Sequence, residues 1–358
     1  MSEIKGDTRC ELLLDGEKEN VCVRSVMAGE KGLHDACLAE LMPDENGRIA
    51  WTLPADKLPH GPVTVRFIVG KNSTRDVYHL QLYNRGGNRF EEGLMSAPKP
   101  AFAEGLELCF ADDFEGALSI SAEGNDARYY SHKPGGGDFS IFPFSDMESD
   151  VNPFFQKETY LIICADEEKH SSGLISSVRK DGSGFAVKAP CYFECRMLGP
   201  NAIGSWPAFW LMTHRIHEGM HTPVDELDTI EAYGLEDLDH QNQNGYYVTS
   251  HRWNQDKKET IDPDLFLDMR VFGNRTGWDM AFHTYGTLIT EEETVYTCDG
   301  EPVFRHPTQP CSQTDPLFFM LNLAVGGNGW PVDISRYGKI ALYVDYVRVY
   351  GKKENVSQ

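Results

Sequence analysis

Three features make this chain an all-β protein built as two units, a small β-sandwich followed by a larger one. Apolar residues recur with a period of two inside short runs. Those runs are cut by turn residues, with 33 glycines and 19 prolines, and few windows carry a helical period. The third feature is the length, 358 residues, which is too long for one ordinary core and suits two domains.

Residues 1–84 contain four alternating runs, VCVRSV, GRIAWTL, GPVTVRFIV and DVYHLQLY. In the third, Val63, Val65 and Phe67 share one face while Thr64 and Arg66 share the other, as expected of a strand with one face in a core. About 80 residues of this kind is the length of an immunoglobulin-like sandwich. No acid, base or nucleophile clusters here, so this unit is expected to be a structural or binding appendage. The Gly- and Pro-rich stretch at 85–105 has little periodicity and reads as the linker. Residues 106–352 then form the second unit. Its strand candidates are ETYLIICA, CYFECRML, GYYVTSHRW, TVYTCDG, LFFMLNLAV and IALYVDYVRVY.

Composition excludes several functions. A formal charge of −22 leaves no basic surplus to neutralise phosphates, so nucleic acid is not a partner. The same field disfavours sulfated or uronic polymers unless a locally basic cleft overrides it. No apolar run approaches the roughly 20 residues of a membrane span. Nine cysteines, an odd number without C-x-x-C pairs, are expected as reduced and mostly buried thiols. MSEIKGDTRCELLLDGE lacks the pattern of a signal peptide, which places the chain in the cytoplasm as it stands, or outside the cell if a leader was removed. A monomer is expected.

Two catalytic signatures compete between His217 and Gly234. HEGMH fits the H-E-x-x-H pattern of zinc proteases, with Glu236 or Asp237 as the third ligand. That chemistry needs both histidines on one helix face, and Gly219 and Pro223 make the surroundings a loop. The other signature is the carboxylate run Glu226-Leu-Asp228-Thr-Ile-Glu231. On a regular strand Glu226 and Asp228 share a face and Glu231 points away. One extra residue, a β-bulge at Thr229 or Ile230, returns Glu231 to the same side and turns Leu227 and Ile230 to the core. Like charges at close range raise one another's pKa, which suits a site needing one ionised and one protonated acid. A retaining glycosidase holds such a pair about 5–5.5 Å apart.

Upstream, GSWPAFWLM supplies Trp206 and Trp210, aromatic faces on which sugar rings pack; core packing is the alternative for either, and the expectation for Phe209. With the ELDTIE run, this stretch resembles glycoside hydrolase family 16. FHTYG (282–286), Asp299-Gly300, NLAVGG (322–327), Trp330-Pro331, the closing VDYVRVY (344–350) and the opening ADDFEG follow in family order over about 250 residues. The resemblance implies a concanavalin-like β-jelly-roll with a cleft on its concave face, and an endo-acting, retaining double displacement. It assigns Glu226 as nucleophile, Glu231 as general acid/base and Asp228 as the residue between them that sets protonation. No cofactor is implied for catalysis. Many members carry a structural calcium held partly by the aspartate matching Asp345, near Asp113; a surface aspartate without metal is the alternative.

Further cleft contacts are expected from His251 and Trp253 on the next strand, from Trp330, and from Tyr130 and His132 in the loop ARYYSHKPGGGDFS. The substrate expected first is a β-1,3- or β-1,3/1,4-glucan. Several departures weaken a standard glucan cleft: HTPVD precedes Glu226 where relatives often carry tryptophan, Leu174 stands where they often carry arginine, and TLIT follows HTYG. An agar-, porphyran- or carrageenan-type β-galactan is therefore the alternative. A catalytically silent glycan-binding protein and the zinc protease complete the readings.

Overall fold

The computed structural model describes residues 2–14, 19–29, 32–70, 76–89, 97–123, 126–218, 223–254, 257–272, 276–327 and 329–357. Its first unit is a sheet ordered Ser2–Ile4, Asp76–Asn84, Gly61–Val69, Val21–Gly29, Gly32–Leu41, facing the pair Thr8–Leu13 and Arg48–Leu53. Period-two alternation builds its core: Val63, Val65 and Phe67 from the sheet meet Ile49, Trp51 and Leu53 from the pair. The opposite face carries Thr64 and Arg66 as expected, but it is not solvated; both are buried.

The second unit is a sandwich of two sheets, antiparallel except where Tyr129–Tyr130 pairs with Ile120–Ser121. The first runs Lys257–Asp268, Gly245–Asn254, Val224–Glu231, Ser205–Thr213, Leu317–Val325, Gly173–Ser176, then Tyr129–Tyr130 and Ile120–Ser121. The second runs Phe154–Lys157, Tyr160–Asp166, Lys339–Gly351, Cys191–Leu198, His283–Ile289, Glu293–Cys298, Glu301–Pro307. Phe209, Leu211, Leu227, Ile230, Leu321 and Leu323 of the first sheet pack on Leu161, Ile163, Phe193, Leu342, Val344 and Val347 of the second. Strands such as Ser205–Thr213 are buried along their whole length because the first sheet is covered on its outer face too. There Trp206, Ala208, Trp210 and Met212 join Leu174, Phe318 and Met320, capped by Phe139 and Phe144 from a loop.

The units meet on the outer face of the second sheet, on the side away from Trp206 and Trp210. Gln81 pairs with both backbone groups of Ala341, at 3.0 and 3.2 Å. Arg66 and His79 reach across to fully buried Asp279, at 2.9 and 3.1 Å. Asn201 and Gln243 donate to the same carboxylate. Burial opposes the charge of Asp279, but Arg66 and His79 outweigh it and hold the group far below the ordinary carboxylate range. At the far rim, Glu158 accepts from Arg85 and lies 2.9 Å from His60.

The ends of the units differ slightly from the boundaries expected at 84, 105 and 352. Asn88 still bridges to Pro59 in the first unit, and Ala103 and Leu106 already pack on Tyr192 and Tyr350 of the second. Residues 90–96 of the linker lie outside the described residues. Past 352, Val356–Ser357 pairs with Ala186–Val187, so the sheet reaches Ser357. All nine cysteines are free thiols, and burial pushes Cys164 and Cys311 up to about 11. Four are buried and Cys37 is exposed, so the expectation of mostly buried thiols holds only in part.

Candidate active site

The strand Val224–Glu231 carries the carboxylate run, and its register contains the bulge. On one side Glu226, Asp228 and Glu231 oppose Met212, Trp210 and Ala208, three positions spaced by two. On the other side they oppose His251, Thr249 and Tyr247, again spaced by two. The pairing skips between Asp228 and Glu231, which restores Glu231 to the face of the other two acids. Leu227 and Ile230 enter the core between the sheets. Thr229 is buried there as well, its hydroxyl 2.7 Å from that of Thr287 on the facing sheet. Below the strand, buried Asp225 accepts from the Ser312 amide at 2.8 Å and from its hydroxyl at 3.1 Å, which fixes the strand's start. Burial pushes the Asp225 carboxyl up, and the Ser312 bonds offset part of that rise.

Each acid has a distinct setting. The Trp253 indole N–H donates to Glu226 Oε2 at 3.0 Å, a donor that cannot accept and so stabilises a carboxylate charge. His251 Nε2 lies 3.5 Å from Asp228 Oδ2, both groups being buried. Glu231 accepts from the Tyr233 hydroxyl at 3.1 Å and the Thr249 hydroxyl at 3.4 Å. The acids line a cleft of about 210 Å³ whose walls include Lys133, Phe139, Trp206, Trp210, Tyr233 and Asn322. Asn322 accepts the Trp210 indole N–H at 2.9 Å and donates to the Trp206 backbone carbonyl at 3.1 Å, which ties the Trp210 ring to the strand beside it. Tyr233 lies against Trp206 and stacks on Trp330 with centroids 5.2 Å apart and 14° between planes. The arrangement offers flat apolar faces for sugar rings and carboxylates for proton transfer and attack.

The model of the glycosyl hydrolases family 16 matches residues 147–348, more than half of the chain. The chain belongs to that family.

An endo-1,3-1,4-β-glycanase, EglC, of Rhizobium meliloti is 33% identical over 217 residues, covering 59% of this family 16 chain and 42% of the relative. A β-glucanase of Rhodothermus marinus is 28% identical over 53% of the chain and 67% of its own length. The chain spans less than half the length of the Rhizobium relatives it matches. Among solved structures, an endo-β-1,3-glucanase from Pyrococcus furiosus superposes with a TM-score of 0.52 at 21% identity, covering 69% of this chain and 94% of the other. β-Agarase A from Zobellia galactanivorans gives 0.53 at 18% identity, over 69% and 92%. At these identities the structures show the shared jelly-roll fold.

Of the residues singled out in the family 16 sequence, Trp206, Trp210, His251 and Trp253 line the cleft with the three acids. Trp330 extends its wall through Tyr233 rather than facing the acids. Tyr130 and His132 do not reach the cleft and line an adjoining hollow. Leu174 is buried opposite Asn322, under the cleft floor. Asp345 is not a surface aspartate: it is fully buried and accepts from Arg196 Nη1 at 2.7 Å. A guanidinium at that distance repels a divalent cation, so Asp345 does not fit as a calcium ligand. Asp113 accepts only a weak bond from the Glu115 amide, and among the described residues neither aspartate joins a cluster of candidate metal ligands.

The zinc signature falls only partly within the described residues. Gly219 to His221 lie outside the described residues, and His217 Nδ1 is bonded to the His214 carbonyl at 2.8 Å. Glu236, one expected third ligand, is buried against Arg336 and Tyr337. The described clusters that could hold an ion are Glu226–Asp228–His251, in the cleft, and His283–Cys298–Asp299. In the second, His283 bonds Asp299 and Thr276 through its two nitrogens, a structural arrangement.

Tyr233, Asn322, Phe139 and Lys133 line the cleft and were missed by sequence reasoning. Tyr233 follows Glu231 by two residues, so alternation alone would have put it on the same face. Asn322 lies within the NLAVGG block without any sign of its aim. Phe139 and Lys133 belong to a loop whose path has no period to read.

Proposed function

We propose that this protein is an endo-acting, retaining β-glycoside hydrolase whose substrate is a β-1,3- or β-1,3/1,4-linked glucan backbone. The supporting observation is the bulged strand that turns Glu226, Asp228 and Glu231 into one aromatic-walled cleft. Glu231, protonated, gives its proton to the glycosidic oxygen while a Glu226 carboxylate oxygen attacks the anomeric carbon. The bond to the leaving sugar breaks and a glycosyl ester to Glu226 forms. Glu231, now ionised, takes a proton from water, whose oxygen attacks the same carbon and frees Glu226. Asp228, beside His251, orients Glu226 and keeps the two glutamates in different protonation states. No metal enters these steps. The first unit, docked on the far face, serves as a rigid support.

The test is reducing-sugar release, with chelator present, from laminarin, mixed-linkage glucan, agarose, porphyran and carrageenan, with Glu226→Gln as control. Release from a β-1,3- or mixed-linkage glucan, lost at least about a thousandfold in Glu226→Gln, is expected. Release from a galactan alone would move the substrate to that class. Activity that survives Glu226→Gln, or that the chelator removes, would sink the mechanism.

A further inference from the structure

Two thiols of the first unit lie side by side at the edge of its sheet. The strand Gly32–Leu41 is the outermost of that sheet and pairs with Val21–Gly29. Val21 and Val23 point into the unit's core, so Cys22 and Arg24 take the opposite face. The register skips one residue there: Ala39 opposes Val23 and Cys37 opposes Arg24, with Leu38 as the extra residue. This bulge sets Cys37 diagonally across from Cys22, and their Sγ atoms are 3.6 Å apart. Cys37 is exposed and Cys22 half-buried.

The other cysteines are placed differently. Cys10 and Cys109 give their S–H to the carbonyls of Thr8 and Glu107, two residues before them. Cys191, Cys195, Cys298 and Cys311 are buried, and burial pushes Cys164 up to about 11. The Cys22 thiol is raised too, by burial and by its bond with Cys37, while the Arg24 guanidinium offsets part of the rise. Asp35 holds that guanidinium beside the pair, at 3.1 Å.

We propose that Cys22 and Cys37 form an oxidisable dithiol, which a small-molecule disulfide converts into an intrachain disulfide at the edge of the first unit. The thiolate of exposed Cys37 attacks one sulfur of the small disulfide, and the other sulfur leaves as a thiolate that takes up a proton. Cys22, its proton lost to water, then attacks Cys37 Sγ and expels the second small thiol. Two protein thiols become one disulfide, and one small disulfide becomes two thiols. With the second sulfur already 3.6 Å away, this displacement is intramolecular and the mixed disulfide does not accumulate. The new bond ties down the strand that carries Leu33, which packs with Val26 on Met280 and Ala281 of the second unit. Oxidation therefore tightens the joint between the units as well as the sheet edge.

The test equilibrates the full chain with reduced and oxidised glutathione at graded ratios, then quenches with acid, alkylates and digests without reduction. Trypsin cuts after Arg24 and Lys31, so the two cysteines fall on separate peptides. Mass spectrometry is expected to find these peptides joined, lighter by two hydrogens than the free pair together. Cys22→Ser should instead hold Cys37 as a glutathione adduct. The oxidised chain should melt about 5 °C above the reduced one, and Cys22→Ser/Cys37→Ser should melt at one temperature whatever the ratio. Glutathione adducts that persist on both cysteines of the native chain, or a link that forms only in urea, overturn the dithiol. A melting temperature that is equal in both states, or that responds as much in the double-serine variant, overturns the tightening.

Discussion

Glu226 is the residue on which the proposed chemistry turns, and it accepts a hydrogen bond from the indole of Trp253. A hydrogen bond to a charged group is worth about 1.5–3 kcal/mol. Trp253→Phe keeps the ring and removes the N–H, so kcat should fall at least about tenfold with little change in melting temperature. The acidic limb of the pH–rate profile should move to higher pH, because the carboxylate loses a group that favours its charge. A drop in kcat with an unmoved limb would mean that Trp253 only packs. At this scale the sequence was informative about identity and poor about aim. Strand alternation put Glu226 and Asp228 on one face, Glu231 joined them only with a bulge added, and His251 and Trp253 were expected as cleft contacts from their place on the next strand. Tyr130, His132 and Trp330 were placed less well, since loops have no period from which direction follows.

The decisive element is one strand, Val224–Glu231, held between Ser205–Thr213 and Gly245–Asn254. Its bulge is the reason an E-L-D-T-I-E spacing can present three acids to one side. Deleting Thr229 removes the extra residue while the rest of the strand keeps its alternation. Glu231 then falls four residues after Glu226 in a regular strand and keeps the face of the other two acids, so the deletion straightens the strand without turning the carboxylate away. Measurable activity should therefore survive, while the melting temperature drops by several degrees because the bulge and the buried Thr229–Thr287 contact are lost. Thr229→Val, which keeps the count and loses only the bond to Thr287, should retain most activity. Complete loss of activity in a folded deletion variant would mean that the facing of the acids is not what the bulge provides. Strand positions of this kind could be read from the sequence, whereas the strands Lys257–Asp268 and Glu301–Pro307 could not. Both contain proline and several charged residues, which hide the alternation.

On the scale of the whole molecule, the two units are joined through a buried ionic cluster at Asp279. Asp279→Asn leaves Arg66 buried without its counter-charge and should cost about 3–5 kcal/mol. The cost has a pH dependence of definite sign. Asp279 has a depressed folded value, so its contribution is complete above the ordinary aspartate pKa of about 3.9 and is lost as pH falls towards the folded value. Chemical denaturation of both proteins should therefore show a constant gap from neutral pH down to about 4, closing at lower pH. A gap that closes nearer neutrality would indicate that Asp279 is not held ionised.

By itself the sequence determined the all-β class, the division into two units, the acid strand and the likeness to family 16. These are written in short-range patterns: period-two alternation, turn residues and a fixed spacing of carboxylates along one strand. Tertiary structure alone decided which side of each sheet is covered. Arg66 and Thr64 alternate like solvent-facing residues and are buried because another unit happens to dock there. Asp345 resembles a metal ligand and is claimed by Arg196 from a neighbouring strand. In each case the deciding contact joins segments remote in sequence, and no local pattern records which distant charge will arrive.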